Sequence, residues 1–130
     1  MTDPSPASEP LVLVVDDDER NLKLARDVLR AAGLRTLEGT TGAEAIELAE
    51  RHLPDVILLD LGLPDANGAS VARALAGLPR TAEIPVVAFT ALPQAGDWHR
   101  GAGFAGYIEK PFDIREFADR VRSYCAPAGG

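Results

Sequence analysis

The stretch that decides the fold is VILLD at residues 56–60, which continues as LGLPDANG at residues 61–68. An unbroken run of branched apolar residues is typical of a strand buried on both faces, and such strands lie in the middle of parallel sheets. Asp60 stands where this strand leaves the core. Because the loops at the carboxyl ends of parallel strands open into a crevice, we predict that Asp60 is a functional residue on which other functional side chains converge.

The rest of the chain predicts one α/β domain built around that strand. Apolar runs predict five strands, at residues 11–15, 34–39, 56–60, 84–89 and 106–110. Patterns of helical period lie between and after them, from residue 19, from residue 41, at residues 71–78, weakly at residues 92–103, and from residue 113. Strands that alternate with helices across short connections predict a doubly wound, five-stranded parallel sheet with five helices, in the flavodoxin-like order 2-1-3-4-5.

Length and composition limit the kind of protein this can be. The 130 residues fit one domain, predicted at residues 11–125, with a disordered lead-in at residues 1–10 and a disordered tail at residues 126–130. The formal net charge is −7 and no block of lysine and arginine is present, which argues against direct binding to nucleic acid or to an anionic membrane. The lone Cys125 and the lack of a signal-peptide pattern or a bilayer-length apolar run predict a cytoplasmic protein.

Acidic residues follow two strands that the predicted order makes neighbours. Asp16, Asp17 and Asp18 follow the first strand, and Asp60 follows the third. Their carboxylates are expected to face one another at the switch point of the sheet, and such a cluster of oxygen ligands suits Mg²⁺ or Mn²⁺. We interpret Asp18 as the cap of the first helix rather than as a metal ligand.

Two further polar residues end strands at the same edge of the predicted sheet. Thr90 follows the fourth apolar run and Lys110 ends the fifth. A lysine, a hydroxyl group and a divalent cation are together the groups that neutralise a phosphoryl group during its transfer. A carboxylate can accept that group as an acyl phosphate, and Asp60 is the acid best placed to do so.

Several separated motifs, taken in order, resemble the receiver domain of two-component response regulators in its single-domain, stand-alone form. They are Asp16–Asp17 after the first strand, Asp60 with the turn that follows it, Thr90–Ala91 after the fourth strand, and Tyr107 followed by Lys110–Pro111–Phe112. The resemblance covers residues 11 to about 124. It implies a phosphorylation switch rather than a conventional enzyme, with Mg²⁺-dependent, self-catalysed phosphorylation and dephosphorylation.

The resemblance also implies a role for each matched residue near the phosphorylation site. Asp60 is expected to be the phosphoacceptor. Asp16, Asp17, Asp60 and the backbone carbonyl of Gly62 are expected to hold Mg²⁺, with Mn²⁺ as a substitute. Gly62 offers no side chain over the site, so we expect water to reach a phosphoryl group there more easily than is usual for the family.

At the other strand ends the resemblance implies a phosphoryl-binding and switch group. Thr90 and Ala91 are expected beside the phosphoryl group, Lys110 is expected to pair with it, and Tyr107 is expected to turn inward when Thr90 moves. The bond between Lys110 and Pro111 is expected to be cis. Thr90 and Lys110 stand slightly closer in sequence than is usual for the family, and the intervening segment, which contains Trp98, is a poor helix.

The implied partners are a histidine kinase or histidine phosphotransfer protein and an unknown downstream effector, with a homodimer left open. Three alternatives compete with this interpretation. A receiver-like scaffold that is never phosphorylated is disfavoured by the intact set of acids, hydroxyl group and lysine. A Mg²⁺-dependent phosphohydrolase with Asp60 as nucleophile is disfavoured because Gly62 occupies the position of the required second acid. An excised part of a longer regulator fits the chain as well as a stand-alone receiver does.

Overall fold

The computed structural model describes residues 9–91 and 103–125. These residues form one parallel sheet whose five strands lie in the order β2-β1-β3-β4-β5, which confirms the predicted strand order. The strands are β1 (Leu11–Val15), β2 (Arg35–Gly39), β3 (Val56–Leu59), β4 (Val86–Thr90) and β5 (Gly106–Glu109). The strand that ends before Asp60 therefore lies at the centre of the sheet.

Helices cover both faces of the sheet. Within the described residues there are four, rather than the five predicted: α1 (Glu19–Ala31), α2 (Gly42–His52), α3 (Gly68–Ala76) and α4 (Ile114–Tyr124). The remaining predicted helical segment, residues 92–103, lies outside the described residues apart from Gly103. In the part of the chain that the structure describes, no helix is long and apolar enough to cross a bilayer.

The unbroken apolar runs are explained by two separate cores, one on each face. One core, against α1 and α4, contains the strand residues Val12, Val14, Leu58 and Phe89. The strand residues that alternate with these point toward α2 and α3. Successive side chains of a strand alternate between faces, so a strand covered on both sides needs apolar residues at every position. The α2–α3 side is lined by small helix residues, namely Ala45, Ala49 and Ala72.

Local sequence signals set most of the element ends. Gly33 follows α1 with a φ of +91°, a left-handed conformation that glycine adopts without strain. The fourth strand begins at Val86 rather than at residue 84, because Pro85 has no N–H and Ile84 donates instead to Thr81 in a turn. Helix α3 ends at Ala76, so Leu78, the last residue of the helical pattern predicted at residues 71–78, lies beyond the helix.

The two ends of the predicted domain differ in what the structure describes. The tail at residues 126–130 and residues 1–8 of the lead-in lie outside the described residues. Glu9 and Pro10, the last two residues of the predicted lead-in, are held against β2. The backbone N–H of Arg35 donates to the Pro10 carbonyl at 2.9 Å, and its Nε donates to the Glu9 carbonyl at 3.0 Å.

Candidate functional site

The carboxyl ends of β1 and β3 bring three aspartates together. Val15 and Leu59 are paired in the sheet, so the residues that follow them leave the core side by side. Hydrogen bonds continue past the strands, from Asp16 N–H to the Gly39 carbonyl at 3.0 Å and from Asp60 N–H to the Val15 carbonyl at 2.9 Å. Each of Asp16, Asp17 and Asp60 offers a carboxylate oxygen, and these oxygens lie within 4.8 Å of one another. We call this cluster the acidic pocket.

Asp16 is the innermost member of the acidic pocket, with a side chain that is 0 % exposed. A buried carboxylate needs hydrogen-bond donors, and Asp16 has three. Its Oδ1 accepts from the Asp18 N–H at 2.9 Å, and its Oδ2 accepts from Asn21 Nδ2 at 3.3 Å and from Lys110 Nζ at 2.6 Å. Asn21 was not predicted, because an asparagine in the first turn of a helix gives no sequence signal of a distant partner.

Lys110 carries the positive charge of the acidic pocket. Its Nζ lies 2.6 Å from Asp16 Oδ2 and 3.7 Å from Asp60 Oδ2, and its side chain is 12 % exposed. The same Nζ lies 4.9 Å from the ring centroid of buried Phe89, a distance at which an ammonium group is attracted to an aromatic face. Phe89 was predicted only as a strand residue, since nothing in an apolar run indicates which ring will lie under a lysine.

Asp60 is partly exposed at the mouth of the acidic pocket, with 14 % of its side chain accessible. Burial, with the charges of Asp16 and Asp17 adding to it, raises the pKa of the Asp60 carboxyl above its usual value. The Gly62 N–H, which donates to Asp60 Oδ1 at 3.2 Å, and the Lys110 charge oppose this rise. Lys110 brings one positive charge to three carboxylates, so negative charge is left in excess. A set of clustered, hard oxygen donors with excess negative charge fits a divalent cation.

The β3–α3 loop, residues 61–67, follows Asp60 and is closed at its base. The Gly68 N–H donates to the Leu61 carbonyl at 3.0 Å, and Gly62 pairs with Asn67 in an antiparallel bridge. A side chain at position 68 would put its Cβ 2.9 Å from the Asp60 carbonyl oxygen, so the close turn requires glycine there. Nothing lies within 4 Å of the position that a Cβ on Gly62 would take.

The remaining predicted residues lie at the ends of β4 and β5. Thr90 is buried at the end of β4, and its carbonyl accepts from the Lys110 N–H at 2.8 Å. Ala91 follows as an exposed residue, and Tyr107 is half-buried in β5 opposite Ala88. The bond between Lys110 and Pro111 is cis.

Asp18 is separated from the acidic pocket by its role in α1. As predicted, it is the N-cap residue of that helix, and its Oδ1 accepts from the Arg20 N–H at 2.9 Å. This bond to the Arg20 N–H, reinforced by the Arg20 side chain, lowers the pKa of the Asp18 carboxyl. The third acid of the 16–18 run is thus satisfied within the first turn of the helix.

Comparisons with known proteins agree with this geometry. The family model of the response regulator receiver domain matches residues 12–122. The polar-differentiation response regulators DivK of Brucella ovis and Brucella anthropi are each 39 % identical over 119 residues, which cover 90 % of this chain and 97 % of the relative.

Solved structures give the same answer. The receiver domain of the sensor histidine kinase PA1611 from Pseudomonas aeruginosa PAO1, which has a magnesium ion coordinated in its active site cleft, is 30 % identical, with a TM-score of 0.81 over 89 % of this chain and 97 % of that one. The chemotaxis response regulator CheY4 of Vibrio cholerae shares the fold, with 22 % identity and a TM-score of 0.83 over 89 % of this chain and 98 % of that one. The chain belongs to the receiver domain family of two-component response regulators, as its sequence motifs predicted.

Proposed function

We propose that Asp60 is the phosphoacceptor of this receiver, and that its phosphorylated form signals by binding a downstream protein. The observation that carries the proposal is the acidic pocket itself. Three carboxylates converge within 4.8 Å, and the Lys110 ammonium lies 3.7 Å from the Asp60 carboxylate. Asp60 is not fully buried, as Asp16 is. It directly follows β3, whereas Asp17 lies two residues beyond the end of β1.

The proposed donor is a phosphohistidine of a histidine kinase or of a histidine phosphotransfer protein. An Asp60 oxygen attacks the phosphorus atom while the bond from phosphorus to the donor imidazole nitrogen breaks. The products are an acyl phosphate on Asp60 and a free imidazole, and water later hydrolyses the acyl phosphate, which returns the carboxylate and releases inorganic phosphate. Proximity and charge neutralisation are the contributions that the chain makes to this step.

The residues of the acidic pocket fit a divalent cation at the same place. Asp16, Asp17 and Asp60, with the backbone carbonyl of Gly62, would hold Mg²⁺ or Mn²⁺. The bound cation supplies positive charge that offsets the charge of the phosphoryl oxygens. The magnesium ion in the related PA1611 receiver domain supports this assignment.

The proposed response to phosphorylation uses the groups at the ends of β4 and β5. The Lys110 ammonium group, which pairs with Asp16 in the unphosphorylated protein, also pairs with the phosphoryl group. The Thr90 hydroxyl donates to a phosphoryl oxygen. Thr90 moves toward Asp60, Tyr107 turns inward, and the surface around β5 changes. Such a switch is an equilibrium between two conformations that the new charge biases, so its output is a change in affinity for a protein partner.

Intact mass spectrometry tests the proposal. Wild-type protein incubated with Mg²⁺ and acetyl phosphate is expected to gain one phosphoryl group, or to bind beryllofluoride if the phosphorylated form is short-lived. Asp60→Asn is expected to show neither. Asp27→Asn is the matched control, because Asp27 is an exposed acid of α1 paired with Lys23 and lies outside the pocket. Phosphoramidate, which carries the phosphorus–nitrogen bond of phosphohistidine, tests the donor class.

The outcome that overturns the proposal is equally specific. If wild-type protein gains nothing from either donor and binds no beryllofluoride, the chain is a receiver-like scaffold. If Asp60→Asn is modified as fully as the wild type, another residue is the phosphoacceptor.

A further inference from the structure

Asp65 lies outside the acidic pocket and connects the β3–α3 loop, which follows Asp60, to helix α2. Asp65 Oδ1 accepts from the Gly42 N–H at 2.7 Å, and Oδ2 accepts from the Ala43 N–H at 3.1 Å. These are the first two N–H groups of α2, which have no partner within the helix. A carboxylate at that end of a helix is favoured both by charge-assisted hydrogen bonds and by the helix dipole.

The contact between the β3–α3 loop and α2 is close because residue 42 is glycine. A Cβ at that position would lie 2.9 Å from Val71 Cγ2, 3.3 Å from Ala66 Cβ and 3.3 Å from Asp65 Oδ1. The end of α2 therefore meets both the loop and α3 with no side chain between them. Ala45 and Ala49 of α2 are fully buried against the sheet. This packing fixes the position of the helix end that the loop contacts.

The other end of the loop lies at the acidic pocket. The bond from the Gly68 N–H to the Leu61 carbonyl and the bridge between Gly62 and Asn67 make residues 61–67 a short closed unit. Within that unit the Gly62 N–H donates to Asp60 Oδ1. A displacement at Asp65 would therefore be passed to Gly62 and to the Asp60 carboxylate, two of the groups that we assign to the metal.

We propose that Asp65 is a positioning residue for metal binding, which acts by anchoring the β3–α3 loop to the N-terminus of α2. The inference rests on the proposed metal site and adds a residue to it that touches neither the metal nor the phosphoryl group. Partners that orient metal ligands commonly change metal affinity when they are removed, by about tenfold to a hundredfold. Because Asp65 is exposed and its bond to the Ala43 N–H lies at the surface, we expect an effect of about fivefold, below that range.

Two variants separate anchoring of the loop from a general loss of helix stability. Asp65→Ala removes two hydrogen bonds at the start of α2 together with the link to the loop. Thr41→Ala is the matched control, because Thr41 Oγ1 caps the same helix by accepting from the Glu44 N–H at 3.1 Å but has no bond to the loop. Both variants weaken the start of α2, and Asp65→Ala alone frees the loop.

The measurement is calorimetric titration of the unphosphorylated protein with Mg²⁺, combined with amide hydrogen exchange in metal-free buffer. Asp65→Ala is expected to raise the Kd for Mg²⁺ about fivefold and to speed exchange of the Gly68 amide, which bonds to Leu61. Thr41→Ala is expected to change neither by more than about twofold. Gly42→Ala, which places a methyl group against the loop, is expected to weaken Mg²⁺ binding in the same direction as Asp65→Ala.

The failures of the two proposals can be told apart. If wild-type protein binds no Mg²⁺, the proposed metal site is wrong. If wild-type protein binds Mg²⁺ and Asp65→Ala binds it with the same Kd, the anchoring role is wrong while the metal site stands. If Thr41→Ala weakens binding as much as Asp65→Ala does, the effect belongs to helix stability, and the anchoring role is again wrong.

Discussion

The acidic pocket and the junction between the β3–α3 loop and α2 lie five residues apart in the chain, at Asp60 and Asp65. In the pocket, burial and two neighbouring carboxylates raise the pKa of Asp60. At the junction, the N–H groups of Gly42 and Ala43 hold the pKa of Asp65 below its usual value. The same residue type in the same segment thus has opposite electrostatic environments.

The difference shows what each region contributes. The junction is satisfied within the chain, because backbone donors of α2 match the carboxylate of Asp65. The pocket is not, because one lysine faces three carboxylates, and the excess charge favours a ligand from outside. Charge that is expected to cost stability in the free protein is the charge that would bind the proposed cation, so stability and ligand binding would be in opposition in the pocket and not at the junction.

The largest expected effect comes from removing the pocket's positive charge. Lys110→Met leaves Asp16 as a fully buried carboxylate without the ion pair to Lys110 Nζ. Breaking a buried pair on one side typically costs about 3 kcal/mol or more, so we expect the free energy of unfolding to fall by about 3 kcal/mol. Urea denaturation in metal-free buffer measures it. The control Lys23→Met removes an exposed pair in α1, and an equal loss in both variants would contradict the comparison.

Addition of Mg²⁺ is expected to have the next largest effect. A ligand that binds only the folded state raises the free energy of unfolding by about 2.7 kcal/mol at a hundred times its Kd. Thermal unfolding of the wild type with Mg²⁺ and with EDTA measures this stabilisation, and Asp60→Asn is expected to show much less of it. Sodium chloride at matched ionic strength is the control. If it stabilises the wild type as much as Mg²⁺ does, the pocket responds to screening rather than to a bound cation.

Asp60→Asn is expected to have a smaller effect in metal-free buffer. It should raise the free energy of unfolding, whereas most substitutions lower it. A carboxyl whose pKa is raised by folding gives its full stability below its unfolded pKa and loses it as the pH rises through the folded value. The side-chain amide of the variant would keep the hydrogen bond geometry without the charge, so the variant is expected to be more stable than the wild type at pH 7 by about 1 kcal/mol. The gain should shrink to nothing below about pH 4. A gain that does not depend on pH would exclude the charge as its cause.

Much of the fold could be predicted because its signals are local. Apolar runs such as residues 11–15 and 56–59 alternate between two cores, and this gives strands buried on both faces wherever helices cover both sides. The cap at Asp18 and the stop at Gly33 depend on neighbouring backbone groups, so they could also be predicted. The boundary of β4 was missed because the sequence shows an apolar run through Pro85 but does not show that Ile84 donates to a turn.

The site could be predicted only where its residues end strands. Asp16, Asp17 and Asp60 share one edge because parallel strands place their carboxyl ends together. Partners from other elements gave no such signal. Asp65 meets Gly42 across 23 residues, and that contact depends on how α2 and α3 pack.

Asp65→Asn gives the smallest expected effect and the opposite sign to Asp60→Asn. A carboxyl whose pKa is lowered by folding contributes stability above its unfolded pKa and loses it as the pH falls through the folded value. The neutral amide loses the charge and turns its NH₂ group toward one of the two N–H donors, so the variant is expected to be slightly less stable than the wild type at pH 7. The two proteins should approach equal stability as the pH falls from about 4 through the lowered folded pKa of Asp65. Thermal unfolding of both aspartate variants across the same pH series measures the contrast directly: their stability differences from the wild type should have opposite signs at pH 7 and converge in acid. Differences of the same sign at pH 7 would mean that the two regions are not electrostatic opposites. If both variants were less stable than the wild type, the excess charge of the pocket would not destabilise the free protein.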